Sequence, residues 1–239
     1  MEPGRAGQLT ARYAIYLVPP ENHPLYHFGQ HFLGRDAHLC GPLPQPVLEG
    51  VYPERLAAIT ESPRHYGFHA TLKPPFRLAD RQSDEALHKE VEKFVARQIP
   101  FTIPELEIGV LDRFIAVRPS WPCTALQSLG DDCLRAFDVF RAPPSEEERA
   151  KRQAAGLTPA QEKLLERWGY PYVFEEFRPH FSLTERIEDS AERYTVHQAI
   201  RTICEPESLA DVTVNSISIF GQPDTRMPFY QIARFQFCG

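Results

Sequence analysis

The chain has 239 residues, of which 42% are hydrophobic, so it can bury a substantial core in one generous domain or in two small lobes. Its 32 acidic and 26 basic side chains give a net charge of -6, which argues against a surface that neutralises a long nucleic-acid backbone. The first apolar stretch, at residues 14–18, is too short for a signal or membrane-spanning segment, so we expect a cytoplasmic protein.

The cysteines support the same compartment. There are 5 of them, an odd number, and they are widely spaced with no Cys-x-x-Cys pair. This pattern favours reduced thiols in a reducing environment. Cys133 lies in an apolar helical pattern with Leu129 and Phe137, so we interpret it as a core residue.

Apolar runs bounded by Pro, Gly or polar residues predict the elements of the first half of the chain. Strands are predicted at 13–18, 66–76, 105–111 and 113–118. Helices are predicted at 24–33, 83–98 and 124–140. Pro24 stands at a favoured first helical position and Gly34 follows the end of that helix, while Ser83 is a suitable cap for the next helix.

The second half begins with a charged segment, 142–155, that starts with two prolines and reads as an exposed connection, helical after Ser145. Thr158 and Gln161 form a predicted capping box that opens a helix ending at Trp168. The remaining elements are a strand at 177–187, a helix from Ser190 to Cys204, and strands at 212–220 and 229–237.

Each half thus places one strand before a helix and two further strands. This similarity predicts a single bilobal domain over 1–239, with lobes at roughly 12–140 and 156–239 joined by 142–155. A duplicated lobe would bring the two early strands opposite each other across a cleft.

The sequence His-x-Ser/Thr-Leu occurs on both of those strands, with His69 and Thr71 in the first copy and His180 and Ser182 in the second. None of the other histidines has Ser or Thr at the second following position. Because side chains alternate along a strand, each histidine and its hydroxyl share one face. Two copies in matching contexts predict a functional pair.

The residue types in these motifs suit phosphate ester cleavage. Histidine titrates near neutrality, so one imidazole can take a proton from water while the other protonates the leaving oxygen, and hydroxyls can donate to the phosphate. Lys73 shares a face with His69, and Arg178 shares a face with His180, which makes both cations candidate phosphate partners. The sequence leaves open which histidine is the base.

The motifs resemble those of the two-histidine (2H) phosphoesterase superfamily. The segments Tyr66–Lys73 and Glu176–Thr184 are further similar to its bacterial branch associated with phosphonate-metabolism gene clusters. The resemblance implies a bilobal α+β fold, with antiparallel sheets lining a central cleft and helices outside. It also implies no metal or cofactor and hydrolysis of a small cyclic phosphate or related phosphodiester, such as a ribose cyclic phosphate.

By the same resemblance, the four signature positions are the catalytic residues: His69, Thr71, His180 and Ser182. The candidate substrate-binding residues around them are Lys73, Arg178 and Tyr66. We expect a monomer that acts on a small phosphorylated substrate, without a nucleic-acid or membrane partner.

Three other readings stay open. His23, His27 and His31 recur every four residues, a spacing that could hold a metal, although Phe28 replaces the glutamate of a His-Glu-x-x-His site. A sensor that binds a phosphorylated metabolite without turnover would need the same cleft. An RNA-end processing enzyme is disfavoured by the acidic balance and the lack of a basic run.

Overall fold

The computed structural model describes residues 12–154 and 156–239 and shows a mixed α+β fold, which confirms the predicted class. The strands are β1 (Arg12–Leu17), β2 (Arg35–Asp36), β3 (Gly41–Pro42), β4 (Ala70–Arg77), β5 (Phe101–Ile103), β6 (Leu106–Leu111), β7 (Phe114–Pro119), β8 (Phe181–Ser182), β9 (Val212–Val214), β10 (Ser216–Gln222) and β11 (Tyr230–Gln236). The α-helices are α1 (Pro24–Leu33), α2 (Pro53–Ile59), α3 (Glu61–Tyr66), α4 (Asp84–Val95), α5 (Thr124–Phe137), α6 (Glu146–Gln153), α7 (Pro159–Trp168) and α8 (Ser190–Ile203).

Seven strands form one antiparallel sheet in the order β11-β10-β1-β4-β8-β7-β6. The two strands that follow the motif histidines, β4 and β8, are therefore neighbours near the middle of this sheet. Two small two-stranded sheets, β2 with β3 and β5 with β9, lie outside it. The motifs thus meet edge to edge in one sheet.

The halves of this sheet differ from the lobes expected at 12–140 and 156–239. The C-terminal strands β10 and β11 join β1 and β4 on one side, while β6 and β7, from the first half of the chain, join β8 on the other. The physical reason lies in β1, where residues 14–17 are all buried. A fully buried strand needs a hydrogen-bonding partner along both edges, and β10 supplies the second one, with Ile15 opposite Ile219.

The two motif segments are shorter as strands than predicted. Tyr66, placed at a strand start by the sequence, is instead the last residue of α3, and the strand begins only at Ala70. The predicted strand 177–187 pairs over just two residues, Phe181 and Ser182. Pro179 lacks the N–H that a longer ladder would require.

The face of the sheet behind the motifs is apolar. The rings of Phe68 and Phe181 stack there with centroids 5.3 Å apart, and both residues are 1% exposed. A Cβ atom on Gly29 in α1 would lie 2.2 Å from the Phe68 ring, so only glycine lets this helix approach so closely. Cys133 in α5 is fully buried, as the sequence predicts.

The helix starts predicted from local sequence are present in the structure. The predicted starts at Pro24, Ser83, Ser145 and Thr158 are confirmed, and the expected capping box at Thr158 is in place. A second capping box, between Ser145 and Glu148, was not predicted. The last helix differs slightly, because Asp189 rather than Ser190 accepts the capping hydrogen bond. No helix within the described ranges has the length and apolar character needed to cross a membrane.

Candidate active site

A cavity of about 1190 Å³ lies over the polar face of the central strands. It brings together the four residues that carry the two motifs: His69, Thr71, His180 and Ser182. Residues far apart in the sequence therefore share one solvent-accessible space. The predicted convergence of the two motifs is a feature of the structure.

The pairing of β4 with β8 explains how the motifs meet. Ala70 lies opposite Phe181 in this antiparallel pair. Continuing the register by one residue each way puts His69 opposite Ser182 and His180 opposite Thr71. The backbone around this pair is therefore related by an approximate local two-fold axis. The two histidines are diagonal neighbours, for which Cβ separations of about 7–8 Å are typical, leaving room for a phosphate between them.

Both imidazoles are held in the same way by the backbone. His69 Nδ1 lies 2.8 Å from the carbonyl oxygen of Gly67, and His180 Nδ1 lies 2.6 Å from that of Arg178. Because a carbonyl can only accept, we assign the Nδ1–H tautomer to each neutral ring. This leaves a lone pair on the Nε2 atom of each ring. The Nε2 atom of His69 lies 3.2 Å from Thr71 Oγ1.

Gly67 is required by the geometry of the first motif. Its φ angle of 81° lies in the left-handed region, and a Cβ there would come within 2.6 Å of the Ala37 Cβ. The glycine ends α3 and turns its carbonyl oxygen toward His69. The orientation of this histidine is therefore fixed by the chain immediately before it.

Burial makes both histidines weak bases in the free protein. It lowers the pKa of His69 from 6.5 to about 4, with the Gly67 carbonyl opposing the change and the nearby His180 charge adding to it. The Tyr16 ring closes over His69 in a stack with centroids 3.5 Å apart. Burial also lowers the pKa of His180, whose ring lies 5.2 Å from that of Phe114.

Lys73 does not line the cavity, contrary to the prediction. Its side chain is 1% exposed and points to the other side of the sheet, where Nζ donates to Asp138 Oδ1 at 3.2 Å and to the Leu134 carbonyl oxygen at 3.4 Å. Burial lowers the pKa of Lys73 to about 8, partly offset by Asp138. Its position is that of a structural ion pair beside α5.

A β-bulge accounts for this difference. Neighbouring residues of β1 pair with Thr71 and Lys73, which leaves Leu72 as an extra residue in β4. The alternation of faces shifts by one position at the bulge, so Leu72 and Pro74 line the cavity in place of Lys73. Strict strand alternation, on which the prediction rested, ends at Thr71.

The other two predicted substrate-binding residues do line the cavity. Arg178 is exposed, and its backbone carbonyl oxygen holds His180 while its guanidinium remains at the rim. Tyr66 is partly buried and stacks on Phe229 with ring centroids 5.2 Å apart. Both side chains are therefore placed to contact a bound molecule.

The sequence reasoning missed residues that come from outside the motifs. The segment 142–155, predicted as an exposed connection, forms one wall of the cavity through Arg152, whose guanidinium lies over the Tyr170 ring at 5.2 Å. Tyr16 also lines the cavity, although the sequence predicts only that it lies in a buried strand. Helical spacing held a usable signal, since Glu148 and Arg152 share one face of α6.

Two of the three histidines considered as metal ligands, His23 and His31, bind backbone groups instead. His23 caps α1 by accepting from Leu25 N at 3.1 Å, and its Nε2 lies 3.1 Å from the Asp211 carbonyl oxygen. His31 Nδ1 lies 3.3 Å from the Pro44 carbonyl oxygen. In the described part of the chain, no three His, Cys, Asp or Glu side chains cluster closely enough to hold a metal ion.

Fold and site together define an α+β protein in which two histidine motifs face one cavity from adjacent strands of a single sheet. The protein-family model described as "Protein of unknown function (DUF1045)" matches residues 71–230. The chain belongs to this DUF1045 family.

Two curated relatives are both named ribose 1,5-bisphosphate phosphokinase PhnN. The protein of Janthinobacterium sp. (strain Marseille) is 33% identical over 237 residues, covering 98% of this chain and 52% of its own length. That of Laribacter hongkongensis (strain HLHK9) is 35% identical over 179 residues, covering 74% of this chain and 41% of its own. The chain therefore spans about half the length of the curated relatives it matches.

Solved structures similar to this chain include one described as a phosphoesterase, at 15% identity and a TM-score of 0.46, covering 96% of this chain and 99% of that one. Another is E. coli LigT complexed with NADP+, at 13% identity and a TM-score of 0.48, covering 95% and 98%. A further structure holds E. coli LigT with 3'-AMP, at 14% identity and a TM-score of 0.46, covering 96% and 99%.

Proposed function

We propose that the protein is a metal-independent phosphodiesterase that hydrolyses a small cyclic phosphate or related phosphodiester by two-histidine acid–base catalysis. The observation that carries the proposal is the placement of His69 and His180 directly before two neighbouring strands, each with Nδ1 held by a backbone carbonyl and both facing one cavity. Paired imidazoles that present Nε2 to the cavity suit one proton removal and one proton delivery.

In the proposed reaction, a neutral histidine takes a proton from water as the water oxygen bonds to phosphorus. The bond from phosphorus to the leaving oxygen then breaks, and the other histidine, as imidazolium, protonates that oxygen. The hydroxyls of Thr71 and Ser182 donate to the non-bridging oxygens, where negative charge develops. A cyclic phosphate and one water thus give one phosphate monoester.

We assign the base to His69 and the acid to His180. The stack with Tyr16 and the lowered pKa keep His69 neutral over a wide pH range. His180 follows Arg178 at the exposed rim, and an anionic substrate favours its protonated form by direct charge attraction. The two roles therefore follow from different surroundings of two similar motifs.

The proposed substrate class is a sugar cyclic phosphate, such as a ribose cyclic phosphate, in phosphonate metabolism. The gene-cluster branch that the motifs resemble supports this class, and the PhnN relatives are named for a ribose phosphate. The net charge of -6 disfavours a nucleic-acid partner. We propose that the protein acts in the cytoplasm, as a monomer and without a cofactor.

The names of the relatives raise a second candidate, a phosphokinase. P-loop kinases cradle nucleotide phosphates with the sequence Gly-x-x-x-x-Gly-Lys-Ser/Thr. The 239 residues of this chain contain no Gly-Lys pair. Since the chain matches only about half of each relative, the kinase name does not assign the kinase activity to the part that this chain matches.

Phosphorus NMR with cyclic nucleotides, ribose cyclic phosphates and linear diesters tests turnover directly. We expect one substrate to give a monoester, with activity lost in His69→Ala and His180→Ala but kept in His27→Ala, an exposed histidine far from the motifs in sequence. Turnover should survive a chelator. Saturable binding without product would instead support the sensor, and loss of activity on chelation would support a metal enzyme.

An aryl diester separates the two histidine roles. Its leaving group is stable as an anion and needs no proton, so it bypasses the general acid. We expect His180→Ala to lose much less activity on the aryl diester than on an alkyl one, while His69→Ala loses the same on both. The reverse pattern would exchange the assigned roles.

A further inference from the structure

Arg152 is an arginine of the cavity wall without an acidic partner. It is partly buried, and its guanidinium carbon lies 5.2 Å from the centre of the Tyr170 ring. Among residues 12–154 and 156–239, no carboxylate forms a salt bridge with it and no acceptor takes a hydrogen bond from it. Its donors are therefore available to a bound molecule.

Other arginines that line the cavity are differently placed. Arg12 Nε donates to Gln222 Oε1 at 2.7 Å, and Arg186 is paired with Asp112 at 2.7 Å. Arg178 is exposed at the rim, where water solvates it. Arg152 differs because it combines partial burial with a lack of protein partners.

The position of Arg152 is built into the fold. α6 begins with a capping box at Ser145 and is tied to β4 by a 3.1 Å ion pair between Glu148 and Arg77. Glu148 and Arg152 are one helical turn apart, so the turn that docks on the sheet also directs Arg152 toward the cavity. Arg149, on the same helix, is exposed and does not line the cavity.

The Tyr170 ring prepares this guanidinium to bind an anion. A cation over an aromatic ring is attracted to the ring without using its N–H groups as hydrogen-bond donors, so these groups stay available for contact with an oxyanion. Burial lowers the pKa of Arg152, which reflects the loss of hydrating water around the charge. A partly desolvated cation gains most from an anionic partner.

We infer that Arg152, positioned over the Tyr170 ring, forms a subsite for a second anionic group of the substrate, a phosphate monoester distinct from the ester that the histidines cleave. This inference rests on the proposed diesterase function. The motif hydroxyls already serve the cleaved ester, and a cavity of about 1190 Å³ has room for a substrate with two such groups.

Kinetics on matched substrates test the subsite. One diester carries an additional phosphate monoester, and the other carries a hydroxyl at the same place. We expect Arg152→Ala to raise KM for the first by roughly 10- to 100-fold, as for loss of a charge-assisted hydrogen bond, and to leave the second unchanged. Arg149→Ala should leave both unchanged. Equal losses on the two diesters, or no loss, would overturn the inference.

A binding experiment tests the subsite independently of catalysis. In the His69→Ala, His180→Ala double variant, inorganic phosphate is titrated by calorimetry. Adding Arg152→Ala should weaken phosphate binding at least roughly tenfold, Arg152→Lys less, and Arg149→Ala not at all. Unchanged binding after Arg152→Ala would refute the subsite. If the wild-type protein cleaves no diester, the proposed function fails, while this titration still decides the role of Arg152.

Discussion

The low pKa of His69 is the property of the site that can be measured most directly. Burial beneath Tyr16 is its main cause, and the charge of His180 adds to it, against the opposing Gly67 carbonyl. A decrease from 6.5 to about 4 corresponds to roughly 3 kcal/mol against protonation in the folded state, at about 1.4 kcal/mol for each tenfold change.

This pKa has a definite effect on stability. At about pH 7.5 and above, His69 is almost entirely neutral in both the folded and the unfolded chain, so it contributes almost no pH dependence. Below that value the unfolded chain takes up the proton first, and the free energy of unfolding decreases as pH falls toward about 4. Between about pH 7.5 and about pH 5, the loss from this one group is about 2 kcal/mol.

Two measurements check the prediction. In an NMR titration, the imidazole signal that disappears in His69→Gln should titrate near pH 4 in the wild-type protein. In urea unfolding, His69→Gln should lose about 2 kcal/mol less than the wild type between the same two pH values, whereas His27→Gln should match the wild type. A wild-type His69 signal titrating near 6.5, or equal pH dependence in all three proteins, would refute the reasoning.

Three further predictions concern the reaction and the ion pair behind it. Because burial lowers the pKa of both His69 and His180, kcat/KM should have its alkaline limb below pH 6.5, and a flat profile from about pH 5 to about pH 9 would contradict two-histidine catalysis. Thr71→Val and Ser182→Ala should each lower kcat about 100-fold with little change in KM, and Thr71→Ser should restore most of it; unchanged kcat would remove the hydroxyls from the mechanism. Lys73→Met should leave kcat/KM unchanged, because the Lys73 side chain lies away from the cavity and its partner Asp138 keeps its ion pair with Arg141, whereas a raised KM would make Lys73 a substrate ligand.

Local signals were enough to predict much of this structure. The capping box at Thr158 depends on residues three positions apart and is confirmed, and the helix predicted after Ser145 is present. The motif pairs also depend on short spacing, since alternation over two residues puts each hydroxyl on the face of its histidine. The α+β class was implied by the resemblance of the motifs to the two-histidine superfamily, and the convergence of the motifs was predicted from the similar order of elements in the two half-chains.

Non-local pairing set the limit of that reasoning. The bulge at Leu72 arises from the way β4 pairs with β1, and no residue next to Lys73 in the sequence signals that its side chain will turn away from the cavity. Arg152 shows the opposite case. The sequence of its segment predicts a charged, exposed connection. Contacts with the distant Arg77 bring it to the site, namely the ion pair with Glu148 and the hydrogen bond from Ala142 N to the Arg77 carbonyl oxygen.

The two motifs have similar backbones but different surroundings, and this difference is what acid–base catalysis requires. Two interacting histidines in identical surroundings would lose their protons in two steps that belong to the pair, so neither ring would be the preferred base or the preferred acid. Here the ring of Tyr16 lies 3.5 Å above His69, whereas Phe114 lies 5.2 Å from His180, and the exposed Arg178 is two residues away from the second histidine only. The local two-fold pairing of β4 with β8 therefore positions two equivalent Nε2 atoms, and side chains from β1 and β7 make them chemically distinct.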